Sequence, residues 1–287
     1  MWWYAARSCA TIRAVIGDAR SRHAAALLRA GAGVGLAVLL AGCGAAAPSS
    51  ERSHQAYHAA PLGISKRAHA RRSCATAGSL APTGARSYAV TVRKLAVVRA
   101  RPGRGSVLGR FRQIDLNDYP TVLGVFGART GTGCAVTWYR VEVPTFPNGR
   151  SGWVAAASVR AFAVHSRIVV DLSSRRLVVY RAGKVVFRAP VAVGSARTPT
   201  PTGRYFVNER FLLDDPNGPF GVAALGISGH SDVLRNWVQG GPIALHGTDE
   251  PGTIGGAVTH GCIRLANDDM RTLFSLTPAG TPVDIRT

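Results

Sequence analysis

The stretch Arg167–Gly194, RIVVDLSSRRLVVYRAGKVVFRAPVAVG, decides the fold class. It holds short apolar runs dominated by valine with leucine, isoleucine, tyrosine and phenylalanine. Such residues pack well on a pleated surface and poorly against a helical turn. RIVVDL predicts one strand and RRLVVY a second, and Ala182-Gly183 turns the chain into a third, KVVFRAPVAV. This is the texture of a meander. No helical period of useful length follows until Asp268–Leu276, where Asn267 is a candidate N-cap. Residues 164–287 are therefore expected to form a mainly β unit with one short helix.

Working upstream, residues 83–163 also alternate between short apolar runs and turn signals. KLAVVRARPGRGSVLGRF, Lys94–Phe111, predicts two strands around Pro102-Gly103. TWYRVEV, Thr137–Val143, places Trp138, Arg140 and Glu142 on one face and Tyr139, Val141 and Val143 on the other. Asn148-Gly149 is a strong hairpin turn before the next strand. The runs Val97–Phe111 and Trp138–Val154 resemble a bacterial Src-homology-3-type barrel. Trp138 and Trp153 then read as barrel core in preference to a ligand-binding surface. The whole chain is expected to be mainly β, a small barrel followed by a β-sandwich.

The chain has 287 residues and a formal net charge of +20, carried mostly by arginine. A positive field favours anionic surroundings such as a membrane surface or a cell wall. Nucleic acid would require a clustered basic face with a reading element, and the sequence has neither. Arg20, Arg22 and Arg29 precede an apolar run, Gly31–Leu40, that is short for a membrane span. The ending Leu40-Ala41-Gly42-Cys43 resembles the bacterial lipobox. That resemblance implies a signal peptide over 1–42, lipidation of Cys43, and export to the outer face of the cell membrane. Residues 43–82 are rich in Ala, Ser, Pro, His and Arg without apolar periodicity, and read as a flexible tether.

Of five cysteines, Cys9 would leave with the signal and Cys43 would carry lipid. In an oxidising compartment Cys74, Cys134 and Cys262 cannot all pair. Cys262 lies in a Gly/His setting that the other two lack, so a Cys74–Cys134 disulfide is expected.

The chemistry concentrates in THGCIR, Thr259–Arg264. A cysteine attacks as its thiolate and needs a nearby base, for which histidine is suited. His260 precedes Cys262 by two residues, and His246 ends the apolar run Pro242–Leu245. Gly247 and Gly261 allow close backbone approach, and the N–H groups around Gly261 and Cys262 suit a developing oxyanion. A zinc site from Cys262, His246, His260 and His230 would need paired ligands at short spacing on both sides, which is not the pattern here. No phosphate-binding Gly-rich loop lies between a strand and a helix, so no metal or organic cofactor is expected.

Set together, HGTDEPGTIGGAVTHGCIRLANDD (His246–Asp269), VAVGSARTPTPTGRY (Val191–Tyr205) and the opening hairpin resemble the L,D-transpeptidases with a YkuD-type catalytic domain. The resemblance covers about Ser166–Thr287. It implies that Cys262 takes the acyl group of a peptidoglycan tetrapeptide stem and releases D-alanine. An amine of a second stem then attacks the thioester. His246 is implied as base and later acid, with its second ring nitrogen on a backbone carbonyl, Gly247 foremost. Gly261, His260 and Gly247 would shape the turn and the oxyanion hole, and Thr259 would support His260. Arg264 would either hold a stem carboxylate or pair with Asp268 or Asp269. Carbapenem-type inhibitors would acylate the same thiol. A non-catalytic wall-binding lipoprotein is the alternative, but it needs no His246/Cys262 pair.

Overall fold

The computed structural model describes residues 85–287. The expected signal peptide, Cys43, the expected tether and Cys74 lie outside the described residues. The described chain is mainly β, with one α-helix.

Seven strands form the first sheet: β1 (Ser87–Val92), β2 (Leu95–Arg101), β3 (Arg104–Arg112), β4 (Val122–Thr130), β5 (Val136–Glu142), β6 (Ser151–Ala155) and β7 (Val159–Val164). Their order is β3-β2-β6-β5-β4-β1-β7, and every pairing is antiparallel. The β2–β3 turn falls at Pro102-Gly103, with Gly103 at φ 72°. The core is built of small aliphatics: Val90, Ala96, Val98, Leu123, Val141 and Val154 are fully buried. Trp138 and Trp153 are not among them. Both are only half-buried, and Trp138 lies over the Gly103 turn. The expectation that they form the core is corrected, because the space inside is already filled by aliphatic side chains, mostly valine.

The second unit begins directly after β7. Its strands are β8 (Ser166–Asp171), β9 (Arg176–Arg181), β10 (Lys184–Pro190), β11 (Val193–Gly194), β12 (Gly203–Leu212), β13 (Ala223–His230), β14 (Pro242–His246), β15 (Ala257–Thr259), β16 (Ile263–Arg264) and β17 (Pro282–Arg286). The main sheet runs β10-β9-β8-β17-β12-β13-β14-β16, and β11 pairs with β15 beside it. The helix α1, Asn267–Leu276, buries Met270 and Leu273. Phe274 and Leu276 also pack on the core. That apolar stripe is what fixes the helix against the sheet. Asn267 is the first helical residue, and no side chain caps the helix. Its amide serves the site instead.

The two units interlock. Phe206 of β12 is buried in the core of the first sheet. Gly124 makes room for it, since a Cβ there would stand 2.7 Å from the Phe206 ring. Ser228 of β13 donates to Glu142 Oε1 at 3.0 Å and accepts from the Phe206 N–H at 3.1 Å. Glu142 is 1% exposed, and burial pushes its carboxyl up to about 8, so it is protonated at neutral pH.

Candidate active site

The sheet register brings the chemistry together. β14 pairs antiparallel with β13, setting Ala224 opposite His246, and parallel with β16, setting His246 opposite Arg264. Continuing that register places Cys262 level with Ala244, whose backbone hydrogen-bonds the sulfur. Side chains alternate across a strand. Leu245 and Ile263 thus point into the core, each 0% exposed, and His246, Cys262 and Arg264 project from the opposite face. All three line one pocket of about 50 Å³.

His246 is 4% exposed. Its Nδ1 lies 2.6 Å from the carbonyl oxygen of Gly247. A carbonyl only accepts, so Nδ1 carries the proton and Nε2 keeps its lone pair. The Phe220 ring meets the imidazole edge-on at 4.8 Å between centroids. Burial holds the imidazole down at about 4, the Arg264 charge adds to this, and the Gly247 carbonyl opposes it. Burial likewise pushes the Cys262 thiol up, against the Ala244 backbone and the Arg264 charge. Burial thus favours the neutral form of both groups in this pocket.

Gly247 has no space for a side chain. A Cβ there would come within 2.2 Å of Asn267 Oδ1 and 3.1 Å of Gly221 Cα. That Oδ1 accepts the Thr248 N–H at 3.0 Å, and the same amide donates to Pro216 O at 3.2 Å. Asn267 is thus a strut under the base.

The cysteine turn is fixed by hydroxyls. Thr259, 2% exposed, donates to the Cys262 carbonyl at 2.6 Å and accepts the Gly261 N–H at 3.1 Å. Two sequence expectations are corrected here. Thr259 supports the backbone of Gly261 and Cys262 and not the His260 side chain. The Gly261 N–H is already occupied by the Thr259 hydroxyl and is not free for an oxyanion. Gly261 itself has φ 115°, a region open to glycine and rarely to other residues. Its carbonyl accepts Thr200 Oγ1 at 2.9 Å, and the Thr259 carbonyl accepts Thr198 Oγ1 at 2.9 Å. These threonines stand in the TPTPTG run, which the sequence marked out without disclosing that its hydroxyls hold the turn.

His260 is exposed and lies beside Trp237, 5.8 Å between ring centroids. It contributes to the pocket rim, whereas the buried imidazole of the pocket is His246. Arg264 pairs with Glu250, Nη1 to Oε2 at 2.6 Å. Asp268 pairs with Arg271 instead, at 2.8 Å. Residue 250 lies on a loop that no period in the sequence could align with Arg264. Cys134 is disulfide-bonded, and its partner lies outside the described residues. Cys262 is free.

Residues 165–285 match the L,D-transpeptidase catalytic domain family, YkuD. A Bacillus licheniformis protein bearing the name L,D-transpeptidase YkuD is 38% identical over 119 residues, 42% of this chain and 64% of its own length. The Bacillus subtilis protein of that name is 34% identical over 124 residues, 43% of this chain and 68% of its own. The chain thus spans about two thirds of these two relatives, and it belongs to the YkuD L,D-transpeptidase family. Among solved structures, the catalytic domain from an Enterococcus faecium L,D-transpeptidase is 25% identical, covering 42% of this chain and 95% of that one, with a TM-score of 0.31.

Proposed function

We propose that the protein is a peptidoglycan L,D-transpeptidase with Cys262 as nucleophile and His246 as general base and acid. The supporting observation is the shared sheet face of Cys262 and His246, with the His246 Nδ1 proton committed to Gly247. Nε2 takes the thiol proton as sulfur attacks the carbonyl carbon of a tetrapeptide stem. In this reading the Cys262 backbone N–H donates to the developing oxyanion. The imidazolium then protonates the departing D-alanine amine, leaving a thioester. An amine of a second stem loses its proton to Nε2, attacks the thioester and restores the thiol. Arg264, steadied by Glu250, gives the pocket a positive wall suited to a stem carboxylate.

In this reading the chain is exported and lipid-anchored through Cys43, with residues 43–82 as tether and a Cys74–Cys134 disulfide. The seven-stranded unit is a bacterial Src-homology-3-like module. Carbapenem-type compounds acylate Cys262. The test is mass spectrometry of the folded protein with a carbapenem, beside muropeptide analysis with a tetrapeptide substrate. An adduct and a cross-linked product in wild type, both absent in Cys262→Ala, are expected. Folded wild type that gives neither would reject the reading.

A further inference from the structure

The segment Ser231–Gly241 forms a wall of the candidate active site: Ser231, Leu234, Trp237 and Gly241 line the same pocket as Cys262. Within the catalytic unit it is a closed loop, with the Ser231 N–H on the Gly241 carbonyl at 2.8 Å. Much of what fixes the loop from outside belongs to the other unit. At its entrance, Asn148 of the Asn148-Gly149 turn donates from Nδ2 to His230 O at 2.8 Å and accepts the His230 N–H at 2.9 Å on Oδ1. One amide side chain thus satisfies both backbone groups of a residue at the end of β13. A third contact runs from Nδ2 to Asp232 Oδ1 at 3.4 Å. In mid-loop, Arg235 lies over the Phe146 ring at 4.5 Å. At the exit, Gln239 Nε2 donates to Asn117 Oδ1 at 3.2 Å. Gln239 has φ 58°, a conformation an L residue holds only when its surroundings hold it there.

We infer that Asn148 and Asn117 of the first unit are positioning residues for the acyl-donor subsite, acting through the Ser231–Gly241 wall. The seven-stranded unit is then part of the enzyme's substrate-binding apparatus and not only a spacer. This inference rests on the reading of Cys262 as the transpeptidase nucleophile. Chemistry at Cys262 does not pass through the loop. Trp237 meets His260, the rim residue, and none of the loop's side chains hydrogen-bonds Cys262 or His246. Loosening the wall therefore weakens ground-state and transition-state binding alike, which appears in KM and leaves kcat in place.

The experiment compares full-length wild type with Asn148→Ala and Gln239→Asn. The second variant tolerates positive φ while drawing the amide back from Asn117. The donor is a disaccharide-tetrapeptide and the acceptor a free D-amino acid, measured well below each variant's unfolding temperature. Each variant is expected to raise donor KM about tenfold with kcat within about twofold of wild type, the scale of one or two lost hydrogen bonds. Should Asn148→Ala fail to fold, Gln239→Asn carries the test. Folded variants with wild-type KM would overturn the inference, as would a fall in kcat at unchanged KM. An unreactive wild type would instead overturn the transpeptidase reading itself, and this one with it.

Discussion

The carbonyl oxygen of Gly247 lies 2.6 Å from Nδ1 of its own neighbour, His246. The bond joins adjacent residues at the end of β14, so it forms wherever that strand end forms. It selects the tautomer that leaves Nε2 free.

Because burial holds the His246 imidazole at about 4, it is neutral, and competent as a base, at any higher pH. Acylation of Cys262 by a carbapenem is expected to show no inflection near ~6.5, the ordinary histidine value. The rate should instead rise on the alkaline side, where the thiol titrates. A stopped-flow pH profile with a clear step at the ordinary histidine value would refute this. His246→Ala should lower the rate by about 10²- to 10⁴-fold with the fold retained, the usual contribution of a general base.

Thr259→Val removes the hydroxyl that joins the Gly261 N–H to the Cys262 carbonyl. A buried donor and acceptor are then left without a partner, which costs about 1–3 kcal/mol. Thermal unfolding should register the loss. Thr259→Ser should restore most of it, since serine keeps the hydroxyl.

Gly247→Ala would drive a methyl group into Asn267 Oδ1 and toward the Gly221 backbone. Overpacking of this kind costs about 1–3 kcal/mol, and it displaces the carbonyl that orients His246. Both stability and acylation rate are expected to fall. An alanine variant with wild-type values for both would contradict the close packing described.

Glu142 keeps its proton to about 8 in the folded protein, against a usual 4.5. Between those values the folded state binds a proton that the unfolded state has released. The resulting stability is full at and below the lower value and is lost as pH rises toward the upper one, at up to about 1.4 kcal/mol per pH unit. Glu209 is held up to about 7, by burial first and then by Asp115, and adds to the same trend. Glu142→Gln, which keeps an acceptor for Ser228, should flatten part of this slope. Chemical denaturation at mildly acidic and mildly alkaline pH checks it, and an unchanged slope would argue against a protonated Glu142.

The strands of the second unit and the candidate reacting residues were legible in the residue order alone. Runs such as RIVVDL and RRLVVY bury their apolar atoms as strands, and THGCIR with a distant HGT marks out Cys262 and His246 as candidate nucleophile and base. Alternation along β14 and β16 then dictates which side chains share a face. The tertiary structure decided everything that depends on loops meeting across the fold. It gave Arg264 to Glu250, turned Asn267 from a helix cap into a strut beneath Gly247, and left Trp138 and Trp153 outside the core. It also tied Gly261 to Thr259 and set Asn148 against His230. Local periodicity encodes which way a side chain points along its own strand. It carries no record of which loop will lie opposite, because that depends on how the two units pack, with Phe206 of one buried in the core of the other.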